Sequence, residues 1–172
     1  MMDSGQQETR DQIASVIRVD EFGLPASDDE IQRVEREFDV PFPAWLRSIY
    51  RACNGFTTRW NTQSLLPLDD VLRHREIMLT TFEDPEESLP DWLPRAIVFF
   101  YEGGSGTCTT HWAALDDQLI KWCYGDWDEF DSPNESFFDL LRELQNKWDE
   151  WDQERRAKSC VPESLPASPS PH

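Results

Sequence analysis

The chain has 172 residues, enough for one domain with its own core, and sets 34 acidic against 16 basic side chains for a formal net charge of −18. That balance argues against binding nucleic acid through its phosphates, which needs Lys and Arg to neutralise the backbone, and against an anionic membrane surface. Eight tryptophans and ten phenylalanines exclude a generic acidic disordered chain, so the charge points to solubility or to a basic protein partner.

Residues 1–8 are polar and expected to be flexible. Ile13, Val16 and Ile17 suit a short first helix, and Phe22-Gly23-Leu24-Pro25 leads into the segment that organises the chain. Ser27 with Glu30 has the form of a capping box, and Asp28 and Asp29 add acid where the helix dipole favours it. Ile31, Val34 and Phe38 then recur at helical spacing. Val40-Pro41-Phe42-Pro43 breaks that helix, because neither proline has an N–H and each biases its predecessor towards an extended conformation. A second helix begins at Ala44 with Trp45, Leu46, Ile49, Tyr50 and Cys53 facing inward; Trp45 and Ile49 are expected against Val34 and Phe38. Asn54-Gly55 ends it, with Gly55 suited to a left-handed cap.

An acidic amphipathic helix, a V-P-F-P elbow, an aromatic and leucine-anchored helix and then N-G resembles the opening of the SUKH superfamily. The matching positions are Ile31, Glu35, Pro41, Pro43, Trp45, Leu46, Tyr50, Asn54 and Gly55. That superfamily includes fungal cell-wall-assembly regulators and many bacterial immunity proteins. Downstream, residues 56–60 favour a strand. Leu65-Leu66-Pro67-Leu68 enters a helix over 69–79 with Val71, Leu72, Ile77 and Met78 inward. Residues 96–101 (AIVFFY) read as a strand buried on both faces, 107–115 returns, Asp116-Asp117 is a tight turn, and 118–124 is the next strand. The order of strand, Gly-rich turn, strand, acidic turn and strand is similar to that family's central sheet. A last helix from about Asn134 carries Phe137, Leu140, Leu141, Leu144, Trp148 and Trp151 at spacings of three and four, and projects from Trp148 onward. The resemblance spans roughly 20–142.

The expected fold is therefore α+β: an antiparallel sheet of about four to six strands, helices packed mainly on one side, and a long C-terminal helix closing the core. The expected organisation is a flexible 1–8, one domain over 9–158, and a disordered tail over 159–172 containing four prolines. The N-terminus lacks a basic-then-apolar signal pattern and the longest apolar run is far shorter than a bilayer, so a cytoplasmic location is expected. Cys53, Cys108, Cys123 and Cys160 have no CxxC or zinc spacing and read as reduced thiols.

The glycine-rich EGGSGT at 102–107 reads as a hairpin turn: a phosphate cradle needs a helix N-terminus behind it, and a strand-like Thr/Trp segment follows instead. Cys108 and His111, three apart on a strand, project from opposite faces and do not pair as nucleophile and base. Asp126, Asp128, Glu129 and Asp131 lack the EF-hand spacing, and a solvated loop, a protein-binding face and a cation site all fit them. Interleaved Trp127 and Phe130 suit an interface. Trp45, Trp60, Trp92 and Trp112 read as core. Alternation puts Trp122 and Tyr124 on the sheet face opposite Lys121 and Cys123.

The resemblance implies an immunity protein, not an enzyme, that neutralises a cognate toxin by covering its basic active cleft with an acidic surface. The toxin would be a nucleic-acid-targeting or other cytosolic effector domain. The partner-binding residues expected are Asp116, Asp117, Trp122, Tyr124, Asp126, Trp127, Asp128, Glu129 and Asp131, with no cofactor or metal. The alternative is a non-catalytic regulatory or scaffold module of the same superfamily that binds a host protein. The sequence leaves oligomeric state open.

Overall fold

A computed structural model describes residues 2–58, 63–81, 91–102, 110–123 and 136–159. The sheet has six strands, each antiparallel to the next in the chain: β1 (Val19–Phe22), β2 (Phe56–Thr58), β3 (Gln63–Leu65), β4 (Ile97–Glu102), β5 (Thr110–Leu115) and β6 (Gln118–Cys123). Five α-helices surround it among the described residues: α1 (Ser4–Val16), α2 (Asp28–Phe38), α3 (Ala44–Ala52), α4 (Leu68–Thr81) and α5 (Phe137–Ser159). The fold is the α+β arrangement that the patterning calls for.

Helix α1 begins at Ser4, inside the stretch expected to be flexible. Asp3 caps it, its side chain accepting from the Gln6 N–H while the Gln6 side chain accepts from the Asp3 N–H, both at 2.8 Å. That is a capping box with Asp and Gln in place of the commoner Ser and Glu. Ser27 and Glu30 form the box at the start of α2 as their spacing requires, and Asp39 closes that helix in the left-handed region at φ 55°.

The elbow between α2 and α3 is held by one carboxylate. Glu35 Oε1 accepts from the Phe42 N–H at 2.7 Å and from Arg47 Nη2 on α3, so a single side chain of α2 fixes the chain on both sides of Pro43. Glu35 is largely buried in this contact, where a charge-assisted hydrogen bond is stronger than a surface ion pair.

Both faces of the sheet are covered in its β4–β6 half. Ile97, Phe99, Trp112, Ala114 and Leu119 join the main cluster with α1, α2, α3 and α5, whereas Val98, Ala113, Leu115 and Ile120 join a second cluster with Met78 and Leu93. Alternate residues thus enter opposite clusters, and the register keeps them aligned: Ala114 pairs with Ile97 and Leu119, Ala113 with Val98 and Ile120. Four of the helices serve the main cluster alone. Only α4 spans the two, with Leu68 and Val71 in the first and Met78 in the second.

Two inward assignments change. Ile77 is 49 % exposed, because α4 rotates that position away from the sheet, whereas Trp151, 44 % exposed, lies on the projecting part of α5 as expected. Trp45 is half-buried, its ring edge-on to Phe99 at 5.4 Å and stacked on Phe137 at 6.3 Å, so it serves α5 and the sheet.

Packing is close where α3 ends. Gly55 sits at φ +95°, and a Cβ there would meet Pro67 Cγ at 3.0 Å; a Cβ on Gly23 would stand 2.3 Å from the Asn54 carbonyl oxygen. Gly55→Ala should therefore lower stability by about 1–3 kcal/mol, the usual cost of holding a side chain in that backbone region. Gly23→Ala should cost more, since backbone atoms block the added methyl. Urea unfolding midpoints for the two variants test both the size and the order; an unchanged midpoint for Gly23→Ala would mean the strand β1 junction is not closed as described.

Candidate functional site

Leu115 pairs with Gln118, so Asp116 and Asp117 form the two-residue tip of the β5–β6 hairpin, both exposed. Asp116 adopts φ 53°, a region that Asp tolerates better than most side chains, and its carboxylate lies 3.6 Å from Arg95 Nη1. Trp122 sits in register with His111 towards the far end of β6, about 17 Å from the tip at strand rise. Tyr124, Asp126, Trp127, Asp128, Glu129 and Asp131 lie outside the described residues, as do Cys108, the 103–107 turn, Trp60, the acidic 83–90 stretch and the 160–172 tail.

Strand β6 ends at Cys123, away from Asp117, and the described structure resumes at Ser136, close to Asp117. There a cavity of about 400 Å³ opens between α1, α3, the hairpin tip and the start of α5. Helix α1 contributes Thr9 and Gln12 to its lining, and α3 contributes Trp45, Ser48 and Ile49. Leu119 and Phe137 are buried walls, Phe138 is half-buried, and among the described residues Asp117 is the only ionised one in the lining. No sequence signal marked this cavity, because its residues come from four separate segments.

The first turn of α5 is already capped at this cavity. The Ser136 hydroxyl donates to Asp139 Oδ2 at 2.7 Å, and the Asp139 N–H donates back to the Ser136 hydroxyl at 3.2 Å. The Ser136 hydrogen bonds and Arg142 hold the Asp139 carboxyl below the usual carboxylate range. A helix start occupied by its own carboxylate has little left to offer an anion.

A second groove, of about 600 Å³, runs between α2 and α4. Its charges are satisfied internally: Arg33 pairs with Asp69, and Arg75 donates to the Glu37 carbonyl at 2.8 Å while stacking on Phe38 at 4.4 Å. These arginines tie α2 to α4.

On the second sheet face His111 is buried, with its ring 4.9 Å from His74 of α4 and 5.7 Å from Tyr101. Burial lowers the His74 pKa, partly opposed by Asp70. Among the described residues no three His, Cys, Asp or Glu side chains are grouped to hold a metal. Cys53 is fully buried and burial pushes its thiol up to about 12, which removes it as a nucleophile. Among the described residues no helix is long and apolar enough to cross a membrane.

The family model for SMI1 / KNR4 (SUKH-1) matches residues 25–151, from just before the α2 capping box through the exposed turn of α5. The chain belongs to the SMI1 / KNR4 (SUKH-1) family. No curated protein matches it. The SUKH family includes toxin immunity proteins and is generally non-catalytic. The elbow, the Asn54-Gly55 junction and strands β2–β6 of this SUKH chain lie inside the matched span, while β1 precedes it.

The His74 environment gives a pH dependence with a definite sign. A histidine whose folded pKa lies below its ordinary 6.5 binds protons more readily when unfolded, so stability falls as pH drops through 6.5. Glu30 and Glu143, held below their ordinary 4.5, add losses only at more acid pH. Thermal melts at a series of pH values between about 7.5 and 5.5 should show a declining Tm, and His74→Gln should flatten that decline. An identical slope in the variant would place the titrating group elsewhere.

Proposed function

We propose that this SUKH chain is an immunity protein that binds a basic toxin domain and covers its active cleft with an acidic surface centred on the β5–β6 hairpin tip. The observation that carries the reading is the pairing of family membership with charge distribution. The family includes toxin immunity proteins, and the stretch 116–131 holds Asp116, Asp117, Asp126, Asp128, Glu129 and Asp131 against the single Lys121. Exposed acids on a hairpin anchored by a buried sheet are held in place without cost at the moment of binding, and rigidly carried loop tips are where binding residues concentrate.

The mode is occlusion. A net charge of −18 steers a basic cleft towards the molecule over several ångströms, which raises the association rate more than the final affinity. Residence then depends on apolar contacts, for which Trp122, Tyr124 and Trp127 are the proposed anchors on the sheet and loop. This mode requires neither cofactor nor metal, and no catalytic step.

One observation favours the alternative of a regulatory module that binds a host protein. Helix α5 runs to Ser159, well past its last fully buried residue Leu144, and carries Trp148 edge-on to Trp151 at 5.5 Å on that extension. A projecting helix with an exposed aromatic serves an adaptor better than an inhibitor.

Surface plasmon resonance against the toxin encoded beside this chain separates these readings. Asp116→Asn with Asp117→Asn should slow association several-fold at low salt and much less at high salt, with little change in Tm, since exposed ion pairs contribute about 0–1 kcal/mol. Trp127→Ala should speed dissociation. If both variants bind normally while charge reversals at Glu83, Glu86 and Glu87 abolish binding, the interface lies on the other acidic stretch.

A further inference from the structure

The cavity beside Asp117 has a specific chemical character. Its interior is apolar, walled by Ile49, Leu119 and Phe137, all buried, with the half-buried rings of Trp45 and Phe138 on either side. Its rim is polar, with the hydroxyl of Ser48 and the amide of Gln12 exposed on facing helices. Its volume of about 400 Å³ lies within the range of sites that take up ligand groups.

Charge narrows the occupant. Among the described residues none in the lining is cationic, and Asp117, at the mouth, is the only one that ionises. An anionic headgroup or free carboxylate would meet that acid, and the neighbouring helix start is already closed by Asp139. An apolar group can enter while a cation attached next to it stays at the mouth beside Asp117. The hydroxyl and amide rim suits the peptide groups of an extended segment, because it offers donors and acceptors without charge. A chain of net charge −18 concentrates just such basic segments at its surface.

We propose that this cavity seats an apolar or aromatic side chain of a basic polypeptide segment, with Asp117 pairing the cation adjacent to it in that segment. The inference deepens the proposed function by naming the chemistry of the partner's anchor, and it rests on that reading only for the partner's identity. It also gives the hairpin tip a second role: Asp116 is engaged with Arg95, while Asp117 guards the cavity.

The test uses the full ¹⁵N-labelled chain and three probes: acetyl-Arg-Phe-Arg-amide, acetyl-Arg-Gly-Arg-amide and acetyl-Glu-Phe-Glu-amide. The first should shift the Trp45 indole and Ser48 amide resonances in a saturable way at millimolar peptide and bind about fivefold or more tightly than either control. Ser48→Trp, which fills the cavity from an exposed position, should abolish those shifts; Gln12→Trp on the opposite wall is the second plug should the first variant fail to fold. Asp117→Asn should narrow the gap between the arginine and glutamate peptides. Equal binding of the Arg-Gly-Arg probe, or unaltered binding to a folded plugged variant, overturns the inference. The two readings fail separately. A toxin bound normally by Ser48→Trp removes the cavity and keeps the immunity function, whereas peptide capture without any toxin neutralisation keeps the cavity and removes the immunity function.

Discussion

The junction at Asn54-Gly55 is the constraint on which the remaining structure depends, because three segments meet there through hydrogen bonds to backbone groups. The Asn54 N–H donates to the Leu24 carbonyl at 2.7 Å, and its side-chain oxygen accepts from the Leu68 N–H at 2.8 Å. The Gly23 N–H donates to the Gly55 carbonyl at 2.8 Å. The end of α3 is thus tied at once to the chain leaving β1 and to the first turn of α4. Tyr50, one turn earlier, adds its hydroxyl to the Leu66 carbonyl at 2.9 Å. Each of these groups is part-buried or close to the core, where a missing partner costs about 1–3 kcal/mol. The closeness that such bonding requires explains both glycines: Gly23 leaves no room for a side chain, and Gly55 turns the backbone where other residues strain.

From this junction the two helices of the elbow and the sheet acquire fixed relative positions, and the cavity follows. Helix α3 leaves the elbow with Ile49 and Tyr50 buried and Trp45 only half so. Trp45 reaches across to Phe99 of the sheet and Phe137 of α5, so one aromatic contact holds α5 against α3. Helix α1 packs on the same two helices. The three helices leave a space between them beside that indole, which the hairpin tip borders. Filling it from within would require a larger side chain at Ser48 or Gln12, and the sequence has small or polar residues at both.

Much of this was legible in the chain because it rests on local rules. The Ser27–Glu30 box, the proline elbow, the left-handed glycine and the two-sided hydrophobicity of 97–100 each declare themselves within a few residues. What was missed depends on distant partners. Strand β1 is four residues with Asp20 and Glu21 at its centre, so it carries no strand pattern of its own; pairing with β2 makes it a strand. Helix α1 starts early because a cap of unfamiliar composition nucleates it, and its low apolar content is offset by packing on α3 and α5. The contact between His74 and His111 joins residues that only α4 packing on the sheet brings together. The same reason hid the cavity. Of the candidate site, the tip Asp116-Asp117 was readable as a turn, while Trp122 lies towards the other end of β6, about 17 Å away at strand rise.

That separation bears on how an acidic protein gains selectivity. Charge alone discriminates poorly: at physiological ionic strength the field of exposed carboxylates decays within about 8 Å, and every basic surface feels it. Selectivity needs a contact that only the right partner completes, and desolvated apolar anchors supply it because a mismatched group leaves either a void or an unpaired polar atom. In this chain the acids and the apolar cavity meet at one residue, Asp117, carried on a hairpin whose strands are buried on both faces. On the proposed reading, a partner drawn in by the whole charge would test the fit of one side chain at the cavity before the remaining acids engage. Relatives that need a different partner can change the rim residues on α1 and α3, which are exposed, without touching the glycine junction or the sheet. The fold can stay constant while the specificity moves.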